Sequence, residues 1–479
     1  MSANASPETE EPPAKSGRFA QNVRWQFVAN GAQAVLGGGY LLVLGRFLGP
    51  ADFGTFSVVM ALVSVAGLLL ELRLQDVVAR EFAHADEGGG ARADDGARIL
   101  DLFFLEVVTR TIPCLGLVLL SIPLARISHL PGEVVPVIVV AAAGFLLSKS
   151  GWGTSTGLLR ALGRTDVIAL CLSGDWGLRL VLTAVCFFIS GMTIHLAVVI
   201  TVVAGTVGNL AQIVLAGREF HRRVAPLSLV GWTCGGAMAR LQKNRRLLAA
   251  NFVMSASDLM SKDVDVAMIS SILTADKVGL YKMAKSIVQS MWRAIDPFYL
   301  AIMPEVQKLW SRGDDDALRA FLKKTSLRLF ALSVALVCVG GVGVMLFLQP
   351  ILGAGYAEVP PLIWLMSGWV IVCGPLVWGH PLAVAINRPE LAVVGSLLGS
   401  AIGLGAFFLL TPRLGLTGAA LAWVLTLLVN FGTIAVLASF AAARLRGSPD
   451  DGAATLPGAR GASARGADAR GADARGTDA

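Results

Sequence analysis

Between Ala250 and Phe298, charged side chains recur at helical spacing inside apolar sequence. Asp258, Lys262 and Asp265 form one set; Lys282, Lys285, Gln289, Arg293 and Asp296 form the next. Steps of three or four residues put each set on one face of a helix. The intervening positions are apolar, among them Val253, Met254, Met268, Ile269, Ile287, Val288 and Met291. A charge at the centre of a bilayer costs roughly 3 kcal/mol or more, so such residues turn toward a bundle interior or a water-filled path. The second set is cationic, with Lys282, Lys285 and Arg293 against Asp296. A cationic wall at membrane depth suits an anionic ligand such as a phosphate or diphosphate, whose oxygens accept several charge-assisted hydrogen bonds.

Other polar groups fall at comparable depth. Counted from the Lys/Arg-rich side at 1.5 Å per residue, Asn30 and Gln33 lie roughly 10–15 Å in, Glu106 and Arg110 roughly 12–18 Å, and Asp175 and Arg179 roughly 14–20 Å. Asp258 and Lys262 lie roughly 18–24 Å in, with Lys285 similar. Acid and base sit four apart in three of these segments, which neutralises part of each charge within its own helix. Two readings are open: separate ion pairs that fix packing, or one hydrated cavity. Convergence of five sites on one depth favours the cavity. Glu106 and Asp175 are the deep acids of the first half and the candidates for ion coupling. The six cysteines have no metal-ligand spacing, so neither a metal nor a cofactor is expected. His195 and His380 stand singly in apolar runs and read as packed or hydrogen-bonded imidazoles.

The elements that position these groups are membrane helices. Of 479 residues 55% are hydrophobic and 15% charged, against about 25% charged in soluble domains. Twelve segments are apolar enough to cross a bilayer: 25–45, 53–72, 99–125, 134–156, 166–189, 193–216, 246–273, 277–301, 326–348, 359–385, 390–410 and 415–440. Alternate loops concentrate Lys and Arg, and both tails belong to that basic side, which predicts cytoplasmic termini. This placement accounts for the net charge of +7 without nucleic acid. Residues 1–22 are polar and lack a short apolar core, so no cleavable leader is expected.

The two halves read as copies. Ala51-Asp52-Phe53-Gly54 recurs as Ala275-Asp276-Lys277-Val278-Gly279 with one extra residue, and Arg164 and Arg388 occupy matching loops 224 residues apart. Six helices per half give both copies the same orientation, hence an all-α protein of two pseudo-symmetric six-helix lobes about an axis normal to the membrane. The expected organisation is a disordered cytoplasmic tail over 1–22, a first lobe over 23–216, a cytoplasmic linker over 217–245 and a second lobe over 246–445. Residues 446–479 form a tail that ends in an Ala/Arg/Gly/Asp repeat with nothing to bury.

Arg46-Phe47-Leu48-Gly49-Pro50-Ala51-Asp52-Phe53-Gly54-Thr55-Phe56 resembles the helix 1–2 signature of the polysaccharide exporters of the multidrug/oligosaccharidyl-lipid/polysaccharide superfamily. Ala275 to Tyr281, Asn387-Arg388-Pro389 and Gly415 to Ala420 resemble its later motifs, in order, over about residues 20–445. The resemblance implies a Wzx-type flippase with a MATE-like fold, which moves a polyprenyl-diphosphate-linked oligosaccharide to the outer leaflet by alternating access. Its partners would be that lipid-linked glycan, the surrounding membrane lipids and other polysaccharide-assembly proteins. It implies that Arg110, Arg179, Lys262, Lys282, Lys285 and Arg293 engage the diphosphate; the spacing itself adds Asn30, Gln33 and Gln289 as polar cavity wall and Glu106, Asp175, Asp258 and Asp265 as coupling or ion-pair candidates. Twelve helices rather than fourteen count against lipid II as substrate, and the absence of an acid in helix 1 departs from many proton-coupled exporters. The rival readings are a drug or metabolite exporter of the same superfamily, which predicts a less cationic second half, and a membrane glycosyl polymerase or ligase, which needs a large outward loop that this chain lacks.

Overall fold

The computed structural model describes residues 28–69, 71–82, 95–224 and 263–447, with Trp25 and isolated positions between 236 and 252. Asp258 and Lys262, most of predicted helix 7, and the tails over 1–22 and 448–479 lie outside the described residues. Every regular element among the described residues is helical.

Helix α1 (Gly38–Leu69) follows a π-helical turn at Gln33–Gly37 and bends at Gly49, where φ is +73°, just before Pro50. Only glycine adopts that backbone cheaply, and Pro50 cannot donate to the preceding turn. Two crossings predicted from sequence are therefore one bent run. Next come α2 (Leu74–Glu81), α3 (Asp95–Leu119), α4 (Ser121–Ile127), α5 (Val135–Lys149), α6 (Trp152–Ala161), α7 (Thr165–Ser190) and α8 (Ile194–Arg223). The second half holds α9 (Val264–Ile269), α10 (Ala275–Arg293), α11 (Asp296–Ser311), α12 (Asp315–Leu352), α13 (Val359–Cys373), α14 (Gly379–Ala385) and α15 (Glu390–Gly447).

Among the described residues, eight runs are long and apolar enough to cross a membrane. Two of them, Val28–Leu68 and Glu390–Leu445, have 41 and 56 residues, enough for two crossings of about 20 residues each. The second is broken at Gly415 (φ +57°). With α10, too charged to count as apolar, and the predicted helix over 246–273, the tally returns to twelve. The chain is a multi-pass, all-α membrane protein.

The backbone repeats with the period of the sequence. His129 and Gly353, Gly163 and Asn387, and Gly191 and Gly415 all have positive φ, and each pair is 224 residues apart. The break between α5 and α6 at Gly151 matches, at the same spacing, the break at Pro375 between α13 and α14. Six predicted crossings thus end or kink where a left-handed residue or proline interrupts the helix.

One end of the bundle is sealed where α1 meets α10. A side chain at Gly54 would overlap the Ala275 carbonyl, and one at Gly279 would overlap the Pro50 carbonyl. The Tyr356 hydroxyl donates to the Gly45 carbonyl at 2.8 Å, and Lys277 Nζ reaches Glu358 at 2.7 Å. The opposite end carries the basic loops, where Arg164 is paired with Asp166 and Glu219, and Arg223 with Glu219. A second apolar cluster, including Val78, Leu102, Leu159 and Phe220, packs there beneath α2 and α6.

Candidate functional site

A cavity of about 540 Å³ opens where α1, α3, α5, α6, α7 and α8 face α10 and Asp263, the residue before α9. Its wall runs from Phe56 and Lys282, near the sealed end, to Glu71, Lys149 and Arg293 toward the basic end. Five cations line it: Arg110, Lys149, Arg179, Lys282 and Arg293. Two lining acids, Glu71 and Asp263, oppose them, with Gln289, Ser286 and Ser290 as neutral polar groups. Aromatic rings support the cations. The Arg179 guanidinium lies 4.8 Å from the Trp176 ring, and Lys149 Nζ lies 4.8 Å from that of Trp152.

Four of the five cations are held by distinct local devices. Arg179 makes a bidentate pair with Asp175 one turn earlier, at 2.8 and 2.9 Å, so Asp175 orients the guanidinium from behind. Arg110 donates to the Gly67 carbonyl at 2.9 Å and comes within 3.9 Å of Glu71. Lys282 pairs with Asp263 at 2.7 Å. Lys149 ends α5 at the break, whose free carbonyls Leu147 and Ser150 accept from the Asn209 amide at 3.0 and 2.8 Å.

Lys285 is placed differently from the shared cationic face expected from sequence. It is fully buried, 2.7 and 2.8 Å from the two oxygens of an equally buried Asp265. Asp265 also accepts from the Tyr281 hydroxyl at 2.6 Å and from the Val266 amide at 2.8 Å. At 100° per residue, Lys282, Gln289 and Arg293 share a face to within about 20°, whereas Lys285 points about 60° away. The pair therefore sits behind the wall and joins α9 to α10.

Glu106 likewise leaves the cavity. Its carboxylate accepts from the Gly153 and Thr154 amides at 2.7 and 2.8 Å and from the Thr154 hydroxyl at 2.7 Å. Those are otherwise unpaired donors at the start of α6, where the helix dipole favours negative charge. Asn30 and Gln33 are half-buried and do not line the cavity. The sequence reading missed Lys149, Asp263, Glu71, Trp152 and Trp176. Lys149 is the last residue of α5, two positions before the left-handed Gly151 (φ +79°) that breaks the predicted crossing over 134–156.

A sequence profile described as polysaccharide biosynthesis protein matches residues 19–310. The chain belongs to the polysaccharide biosynthesis protein family. No curated protein matches it significantly. Its fold is that of MATE transporters. A structure described as the inward-facing conformation of a multidrug resistance MATE family transporter of the MOP superfamily is 14% identical, with a TM-score of 0.63 over 90% of this chain and 99% of that one. The eukaryotic MATE transporter AtDTX14 is 13% identical, with a TM-score of 0.59 over 90% and 99%. A variant of the Vibrio cholerae MATE transporter VcmN is 16% identical, with a TM-score of 0.58 over 91% and 98%.

Proposed function

We propose that this member of the family is a flippase, not an enzyme: it carries a polyprenyl-diphosphate-linked oligosaccharide across a bacterial cytoplasmic membrane for export of a surface polysaccharide. The observation that carries the reading is the cavity charge, five lining cations against two lining acids at a place where both halves contribute. A diphosphate carries more charge than one side chain matches, and several cations can divide it among charge-assisted hydrogen bonds. Alternating access would open the seal between α1 and α10 as the other end closes, with lobes over 23–216 and 246–445 moving relative to one another. Both termini are assigned to the cytoplasm. Lys282 and Arg293 on α10 favour this reading over a drug exporter, for which a less cationic second half is expected.

The test is leaflet-resolved detection of lipid-linked glycan in cells expressing Lys282→Ala, Arg179→Ala or Arg293→Ala at equal membrane abundance. Loss of one charge-assisted contact, roughly 1.5–3 kcal/mol, should slow export about tenfold or more and leave glycan on the inner leaflet. Normal export by all three variants would sink the reading.

A further inference from the structure

A second cavity, of about 280 Å³, lies between α11, α14 and α15 and shares two walls with the cationic one. On α10, Arg293 lines the first cavity and the preceding Trp292 lines the second. After α1, Glu71 lines the first and Arg73 the second. Their chemistry differs. The lining of the second cavity carries one arginine, Arg73, and one carboxylate, Asp296, against the five cations and two acids of the first. The remaining polar groups are side chains that can both donate and accept. The Tyr299 hydroxyl is bonded to His380 Nδ1 at 2.7 Å, and Ser396 lies 3.4 Å from the Asn430 amide oxygen. Aromatic surface completes the wall, with the Trp292 and Phe431 rings 5.1 Å apart and inclined at 66°.

From this we infer that the second cavity is a saccharide subsite that takes the sugar attached to the diphosphate. The inference rests on the flippase reading of the cationic cavity. A pyranose presents C–H faces that lie against aromatic rings, and a rim of hydroxyls that both donate and accept; aromatic walls with a few convergent polar groups match both. A lipid tail would bury the charges of Asp296 and Arg73 against hydrocarbon, which costs more than contact with a polar ligand, and a phosphate would meet Asp296 without surplus positive charge. The position also fits. In a sugar-linked diphosphate the anomeric oxygen is itself a phosphate ester oxygen, so the first sugar lies one bond from the charges. Consecutive residues on α10 serve the two cavities in that order. The volume is close to the lower end of ligand pockets, ~300 Å³, which suits the first sugar and leaves the rest of the glycan outside. Arg73 is held at φ +44°, a backbone that non-glycine residues seldom adopt, and it brings a side chain from the first half into a cavity built by the second.

The experiment places a photo-crosslinking amino acid at Val393, in the second cavity, or at Met60, in the first, within the full-length protein in cells that carry it natively. Adducts are then analysed by mass. The inference expects saccharide fragments on the adduct at Val393, reduced at least tenfold by Asp296→Asn or Asn430→Ala, with the lipid-diphosphate adduct at Met60 unchanged at equal abundance. A lipid-diphosphate glycan captured at Met60 with no saccharide at Val393 would overturn the subsite and leave the flippase reading standing. Saccharide at Val393 that neither variant reduces would also overturn it, since the polar groups would then not hold the sugar. Capture of lipid-linked glycan at neither position would remove the flippase reading and the subsite together.

Discussion

Gly54 on α1 and Gly279 on α10 pack reciprocally: each fits beneath a backbone carbonyl of the other helix, of Ala275 and of Pro50 respectively. Both the glycines and their carbonyl partners are 225 residues apart, so equivalent backbone meets equivalent backbone, as expected near a twofold axis. Approach this close leaves no room for a β-carbon.

Gly54→Ala or Gly279→Ala should therefore pry this seal apart. Overpacking costs about 1–3 kcal/mol, enough to shift a two-state equilibrium roughly tenfold. A cysteine at Ser57, buried just inside the contact, should become several-fold more reactive toward a membrane-impermeant reagent, and transport should fall. Unchanged labelling and transport would show that the contact does not govern access.

Lys285 and Lys282 should behave oppositely. Lys285→Ala strands the buried Asp265 carboxylate, a loss of about 3–5 kcal/mol, and should lower membrane abundance and melting temperature. The double change Lys285→Met with Asp265→Leu should recover much of both. Lys282→Ala should leave abundance intact and lower transport. Equal abundance for Lys285→Ala and Lys282→Ala would refute the distinction.

Glu106 and Asp175 also separate by partner. Glu106→Gln removes the charge at the α6 N-terminus and one acceptor, a loss of about 1–3 kcal/mol that thermal melting in detergent would report. Asp175→Asn leaves the helix intact and frees Arg179. If a cation gradient drives the cycle through this pair, the variant should transport with weakened dependence on the gradient. An unchanged dependence would take Asp175 out of coupling.

Topology can be read by cysteine labelling at exposed positions beside the left-handed glycines rather than at them, since Gly191 and Gly353 have φ of +75° and +90°. Cysteines at Ser190 and Ala357 should label from outside intact cells, and one at Ser311 only after permeabilisation. Labelling of Ser311 in intact cells would invert the assignment.

Much of this architecture was legible because helices and repeats write themselves periodically. Lys282, Gln289 and Arg293 stand seven and four residues apart, so their common face follows from the helical turn, and the spacing of 224 visible in Arg164 and Arg388 returns in the backbone at Gly163 and Asn387. What escaped depends on partners distant in sequence. Nothing local to Glu106 says that the start of α6, 47 residues on, will occupy it. Lys285 resembles Lys282 until Asp265 is brought beneath it, and Lys149 joins the cavity only because α1, α3 and α7 gather around the end of its helix.

Helix α12 has a consequence for how the second half can move. Its 38 residues extend about 57 Å at 1.5 Å per residue, nearly twice the ~30 Å of hydrocarbon. The surplus is at its beginning, where Arg319, Lys323, Lys324 and Arg328 are exposed. At the level of anionic headgroups each such cation contributes about 1 kcal/mol of attraction. The helix is thus moored at its foot like a mast stepped in a deck: vertical slippage would drag four charges off the lipid phosphates, whereas a rocking tilt about the foot disturbs none of them.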